Sequence, residues 1–358
     1  MSLLAHHRIT AAATQQMKSK HHNIRCPLSS SYNDQLRRSI SSSPPLQKLA
    51  HEWISNGKVV SSSPHNDQDN KQQTIVFLHG LLGNAKNLRT PAKKLTRQLP
   101  NISALLLDVR GHGGSSSSSG NFVQPHNFQS CVQDIFDTLT PLGLIGASSP
   151  IAICGHSLGG RIALQYTHSL QQQKQKNDFE IQMPKQTWIL DSVPGTPDPS
   201  VHKVLKAISS IPLPISCKST LTQTLISEYK MNKAIAMWIA SNLKEGDSKD
   251  GFEWVFDLNV ANELVDNFAD QNFVDMVHEI TSDAVVDSKV QLVMAGRNKE
   301  WREEIISSLK SVPNFGETKE SLFRMHKLEE AGHWVHVDAV NELTQLMVDE
   351  LLYTPNTK

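Results

Sequence analysis

The run Gly155-His156-Ser157-Leu158-Gly159-Gly160 constrains the fold of this chain more than any other stretch. It is a G-x-S-x-G pattern. Residues 150–154 before it are apolar and read as a buried strand, and residues 161–166 after it read as a helix. A strand that turns straight into a helix sets a serine on a sharp elbow at the end of a sheet. The unpaired N–H groups of the helix start then lie behind it and favour a developing negative charge. The flanking glycines are expected to permit backbone angles that a Cβ would obstruct and to let the helix pack close to the strand. The bare pattern arises by chance in roughly one chain in ten of this length at average glycine and serine usage. The strand–turn–helix context therefore carries the reading, and Ser157 is the candidate nucleophile.

Apolar runs at 74–78, Ile102–Leu107, 188–190, 290–295 and Phe323–Leu328 read as further strands. Helical spacing is expected over 88–99, Phe128–Leu139 and 338–352. Strands alternating with helices predict a mostly parallel sheet covered on both faces. The alternation breaks between Pro194 and about residue 288, where patterns such as 221–243 and 259–268 are helical and no strand is evident. An insertion of that length (about 195–288) after a strand end is expected to form a helical cap over the site edge of the sheet.

A serine hydroxyl needs a base within reach and a third group to orient that base. His333 follows the last expected strand in the turn Ala331-Gly332-His333-Trp334, and the chain order Ser, acid, His suits this architecture. His336 is its local rival; His79, His112 and His156 suit structural hydrogen bonds better. For the acid, Asp191 directly follows Trp188-Ile189-Leu190 and so stands at the functional end of a parallel strand. The loop after 290–295 offers no aspartate; it contains Asn298, which could hold an imidazole without stabilising the imidazolium, and Glu300, the alternative carboxylate. Asp108 ranks behind both. Two backbone N–H donors complete an oxyanion site: Leu158, next to the nucleophile, and Leu81, in the turn His79-Gly80-Leu81-Leu82-Gly83. A serine at the elbow argues against epoxide hydrolase or dehalogenase chemistry, in which a carboxylate attacks.

Bulk properties narrow the field. The formal net charge is zero over 358 residues, and no basic stripe interleaves with aromatics, so nothing suggests nucleic acid. No apolar run approaches the ~20 residues of a membrane-spanning helix. Cys26, Cys131, Cys154 and Cys217 are scattered without metal-ligand spacing, which fits a reducing compartment, and neither a metal nor an organic cofactor is expected. The zero charge conceals an asymmetry: residues 1–50 carry seven Lys/Arg and a single acid, Asp34, along with two serine triplets. Basic, serine-rich and acid-poor describes an organelle transit peptide over residues 1–45, with a plastid favoured over a mitochondrion. The chain would be cytoplasmic if that tail is an ordinary one.

These motifs resemble those of α/β-hydrolase-fold serine hydrolases: His79–Gly83, Asp108-Val109-Arg110-Gly111-His112-Gly113, the elbow, and Ala331-Gly332-His333-Trp334-Val335-His336. The chain is most similar to a subgroup of abhydrolase-domain esterases found in bacteria and eukaryotic organelles. Leu190-Asp191-Ser192-Val193-Pro194 resembles the L-D-x-x-P segment of that subgroup. Phe252-Glu253-Trp254-Val255-Phe256-Asp257-Leu258-Asn259 resembles its cap motif, with Asp257 where asparagine is usual. The resemblance spans roughly residues 46–352. It implies an eight-stranded sheet, a cap, an acid at Asp191, and esterase activity on small-molecule acyl esters or thioesters. Two other outcomes stay open: a small-molecule, hormone-like receptor on the same fold with slow or single-turnover hydrolysis, and an acyltransferase in which an alcohol replaces water.

Overall fold

All six apolar runs expected as strands form strands of one sheet, and two more strands extend it. The computed structural model describes residues 48–64, 72–116, 122–176, 181–246, 251–282 and 288–353. The expected transit segment 1–45 lies outside the described residues.

The chain enters on β1 (His51–Ser55) and β2 (Lys58–Val60), a hairpin whose turn residues Asn56 and Gly57 both have positive φ, 49° and 74°. Turns of that hand match the twist of the paired strands. Next come β3 (Gln73–Leu78), α1 (Arg89–Gln98), β4 (Ile102–Leu107), α2 (Phe128–Leu139), β5 (Ala152–His156), α3 (Leu158–Gln175) and β6 (Gln186–Leu190). The insertion holds α4 (Pro199–Ser209), α5 (Lys218–Ser227), α6 (Lys233–Ser241), β7 (Leu243–Glu245), β8 (Phe252–Trp254), α7 (Leu258–Asp266) and α8 (Phe273–Ser282). The chain then completes the sheet with β9 (Lys289–Ala295), α9 (Glu303–Lys310) and β10 (Phe323–Leu328), and ends in the short α10 (Val335–Asp338) and α11 (Val340–Leu351).

The sheet order is β10-β9-β6-β5-β3-β4-β1-β2, with only β1 and β2 antiparallel to their neighbours. Its strands read as continuous apolar runs because both faces are covered. Alternate side chains go to opposite layers. On β3, Ile75 and Phe77 pack with Ala92 and Leu95 of α1 and Leu343 and Met347 of α11. Val76 and Leu78 pack instead with Ile135 of α2 and Ile162 of α3. β4 and β5 flank β3 on opposite sides, so the chain reverses direction there. At such a reversal the loops leaving the strand ends diverge and open a crevice.

The cap differs from expectation in two ways. It contains a two-stranded antiparallel ribbon, β7–β8, where no strand was expected. Strands of three residues are too short to show a period of two. The helix expected over 221–243 is two helices, α5 and α6, interrupted near Lys230 at φ 54°, with Asn232 capping the N–H of Ala234. The cap motif has a main-chain purpose. Gly113 N–H donates to Val255 O at 2.6 Å and Asp257 N–H to Gly111 O at 2.7 Å, stitching the cap to the loop after β4. Asp257 then caps α7 by accepting from Asn259 and Val260. The cap is pinned again at its roots. Arg161 of α3, buried and without a carboxylate partner among the described residues, donates to Val193 O, Gly195 O and Phe268 O at 2.6, 2.6 and 3.0 Å. Its guanidinium lies 4.4 Å from the Phe268 ring.

Candidate active site

The elbow is built by close approach. Ser157 itself takes the strained conformation, φ 52° and ψ −115°, and its N–H donates to Leu190 O at 2.9 Å. The glycines around it do not need positive φ, contrary to the first of the two reasons expected for them. A Cβ on Gly155 would fall 2.0 Å from Gly159 O, and one on Gly159 would fall 2.3 Å from Leu78 O. Only glycine lets α3 start this near to β5 and β3.

Strand register then decides which side chains meet. His156 pairs with Leu190, so Ser157 and Asp191 emerge side by side from adjacent parallel strands. Asp191 also has positive φ, 45°, and its side chain is fully buried. Its carboxylate accepts four hydrogen bonds. Oδ1 accepts from Ala295 N–H at 2.9 Å and from Trp301 Nε1–H at 2.6 Å. Oδ2 accepts from Asn298 Nδ2 at 2.8 Å and from His333 Nδ1 at 2.7 Å. A buried carboxylate is stable only when its lone pairs are met in this way. The fourth bond fixes the imidazole so that Nε2 is free to face the cavity.

The loop carrying His333 is held from three sides. Arg297 N–H donates to Ala331 O at 3.0 Å, Gly332 N–H to Asp338 Oδ2 at 2.8 Å, and His156 Nε2–H to His333 O at 2.8 Å. His156 must be neutral to sit here. Burial, and then the neighbouring His336 and His333, hold its pKa well below the usual imidazole range. Burial likewise lowers His79 to about 4 and His336 to about 3. His79 spans the turn after β3, donating from Nδ1 to Gly80 O at 2.8 Å and accepting Val109 N–H at Nε2 at 3.0 Å.

The other acid candidates lie elsewhere. Asp108 accepts from Ala85 and Gly114 N–H at 2.6 and 2.7 Å and ties two loops together. Glu300 donates its N–H to Asn298 Oδ1 and makes no bond to His333. Asn298 holds the carboxylate and not the imidazole. Neither Trp301 nor the His156–His333 contact was anticipated, because no spacing rule signals a side chain arriving from a separate loop.

Ser157 and His333 open on one cavity of about 400 Å³. Among the described residues no direct hydrogen bond joins the two. In unliganded sites such bonds are often long and tighten with substrate. Val201 and Val204 of α4, Ile235 and Trp238 of α6, and Phe268 supply apolar wall from the cap. Leu81 lines the same cavity, and neither its N–H nor that of Leu158 has an acceptor among the described residues. Among the described residues no group of three His, Cys, Asp or Glu is placed to hold a metal, and no helix is long and apolar enough to cross a membrane.

Comparison with known proteins fits this geometry. A family model described as "Serine aminopeptidase, S33", of the Hydrolase_4 type, matches residues 69–181. The mouse "sn-1-specific diacylglycerol lipase ABHD11" is 25% identical over 281 residues, covering 76% of this chain and 78% of the mouse protein. A yeast "Probable alcohol acetyltransferase" is 36% identical over 98 residues, a match that spans only 27% of either chain. Among solved structures, "Marine microorganism esterase" superposes with a TM-score of 0.60 at 17% identity, covering 85% of this chain and 99% of that one. That likeness establishes the α/β-hydrolase fold.

Proposed function

We propose that this protein, which has the α/β-hydrolase fold, is an ester hydrolase that cleaves acyl esters or thioesters through an acyl-enzyme on Ser157. Ser157 Oγ attacks the carbonyl carbon while His333 Nε2 takes its proton. The carbonyl oxygen becomes an oxyanion bound by Leu81 and Leu158 N–H. Asp191 keeps the proton on Nδ1 and stabilises the imidazolium. As the tetrahedral centre collapses, the bond to the alcohol or thiol breaks, and that leaving group receives the proton from Nε2. Water then repeats the sequence on the acyl-enzyme, releasing the acid and restoring Ser157.

One observation carries this reading: the Asp191–His333 bond at 2.7 Å, formed by a carboxylate whose strand end adjoins the strained Ser157. The cap wall, apolar on nearly every side chain it offers, supports an acyl group as the part of the substrate that is held. The test is a kinetic and labelling experiment. Ser157→Ala should abolish labelling by a fluorophosphonate and lower turnover of a short p-nitrophenyl ester by about 10⁴-fold or more. Retained activity with labelling at another serine would sink the assignment. Sustained multiple turnover by the unaltered protein supports an enzyme over a slow receptor. The stretch shared with the yeast acetyltransferase supports a second outcome, capture of the acyl-enzyme by an alcohol in place of water. Product analysis with added ethanol distinguishes the two.

A further inference from the structure

We propose that Asn84 and Asn242 are positioning residues that latch the cap to the loop presenting the Leu81 N–H. The proposal rests on the serine mechanism above, in which Leu81 is an oxyanion donor.

The loop after β3 is short and strained. Gly83 N–H closes it onto Gly80 O at 3.1 Å, and Leu82 has φ 59°. Its near side is held by His79, as described. Its far side ends at Asn84, whose N–H donates to Asn87 Oδ1 at 2.8 Å and whose Oδ1 accepts Lys86 N–H at 3.1 Å. These bonds stay within the loop. The remaining amide group leaves it: Asn84 Nδ2 donates to Asn242 Oδ1 at 3.0 Å, across 158 residues of sequence.

Asn242 is buried at the C-terminal end of α6 and is itself fully engaged. Its Nδ2 donates to Trp238 O at 3.0 Å, and its carbonyl accepts Val255 N–H at 3.0 Å. The helix it terminates supplies Ile235 and Trp238 to the cavity wall, and Trp238 packs on Trp334, the residue after His333, at 5.6 Å between ring centroids. One cap helix therefore touches the acyl wall, the neighbour of the base, and the loop of the oxyanion donor. An acyl group that fills the wall holds α6 in place, and α6 holds Asn84. Breaking the amide–amide bond leaves a buried acceptor unpaired and uncouples the loop from α6, although Asp108 still holds Ala85 N–H at 2.6 Å. Binding energy from the acyl chain would thus be expressed in turnover and not only in affinity.

The test uses the full chain and four proteins: unaltered, Asn242→Ala, Asn84→Ser and the double variant. Serine at position 84 retains a capping oxygen but cannot reach Asn242. Each single substitution should lower kcat about tenfold, less than the ~10²–10³-fold cost of deleting a whole oxyanion donor, with KM within about twofold. Affinity for an alkyl trifluoromethyl ketone, whose serine adduct carries an oxyanion, should fall by the same factor. The double variant should be no worse than the worse single. The kcat advantage of p-nitrophenyl octanoate over the acetate should shrink in all three variants. Singles with unchanged kcat, losses that multiply in the double, or a change in KM alone would overturn the latch. If Asn242→Ala does not fold, Asn84→Ser decides by the same measurements. Ser157→Ala run alongside separates the two levels. An active Ser157→Ala protein overturns the serine mechanism and the latch together. An inactive one beside unaffected asparagine variants overturns the latch alone.

Discussion

Replacing Asp191 by asparagine tests the site where its hydrogen bonding is most constrained. The carboxylate faces two donors on each oxygen: Ala295 N–H and Trp301 Nε1–H on Oδ1, Asn298 Nδ2 and His333 Nδ1–H on Oδ2. An amide offers one acceptor oxygen and one NH₂. The backbone N–H of Ala295 and the indole N–H of Trp301 have no alternative form, so the amide oxygen must stay with them. The NH₂ is then turned toward Asn298 and His333. Asn298 can meet it by flipping its own amide. His333 can meet it only by presenting a bare Nδ1, which moves the ring proton to Nε2. In that tautomer the nitrogen facing Ser157 is a donor and cannot take the hydroxyl proton. The buried site admits no water to compromise, since the Asp191 side chain is fully buried. The expected loss is about 10⁴-fold in kcat, equivalent to about 5.5 kcal/mol of transition-state stabilisation, the scale known for the same substitution in a serine protease triad. Circular dichroism should show a folded protein. Glu300→Gln, measured beside it with one p-nitrophenyl ester near pH 8, should cost less than about tenfold because Glu300 meets Asn298 through its backbone N–H while its side chain lies with Asp198. A crippled Glu300→Gln protein beside a normal Asp191→Asn protein would refute the reasoning and move the acid to the later loop.

Three further outcomes follow from other parts of the molecule. Trp301→Phe removes one donor, at 2.6 Å, from a fully buried carboxylate and leaves three; it should cost about 1.5–3 kcal/mol in denaturant unfolding and lower kcat roughly three- to thirtyfold, and unchanged stability with unchanged kcat would show that the indole N–H is idle. His79, His112, His326 and His336 are held near 4, 3, 4 and 3 by burial, and His156 is lowered as well. The unfolded chain therefore binds more protons below pH 6.5, so their stabilisation is complete above that pH and is lost as pH falls toward 4, each histidine steepening the decline by up to about 1.4 kcal/mol per pH unit; a Tm that stays flat from pH 7.5 to 4.5 would contradict this. Residues 1–45 fused to a fluorescent protein should direct it to an organelle, as their basic, serine-rich composition suggests; a fusion that remains diffuse in the cytosol would rule the segment out as an address.

Much of the fold is legible in the sequence because its strands are buried on both faces. Such strands appear as unbroken apolar runs, and α2 matches its expected span Phe128–Leu139 residue for residue, its Val132, Ile135 and Leu139 all buried. The elbow is legible for a related reason. Contacts of Gly155 and Gly159 with backbone atoms leave no room for any side chain, so the residue types themselves record the geometry. β1, β2 and the β7–β8 ribbon are not legible, since three to five residues pairing at an edge or within a cap carry too little periodicity to mark them.

The sequence alone determined six of the eight strands of the main sheet and several of the helices that cover it, and it marked Ser157, His333 and Asp191 as residues standing at strand ends. It left Asp191 and Glu300 as rivals. Only tertiary structure shows which of them meets His333: Asp191 does, because of the register between β5, β6 and β9 and a loop that brings Asn298 and Trp301 back to the end of β6. The same holds for Arg161 at the cap roots and for the Asn84–Asn242 bond, whose partners are 158 residues apart. Local pattern records the period of an element and the space around its backbone. It does not record which distant donor meets a buried oxygen, since that is decided when the sheet closes and every buried polar group must find a partner.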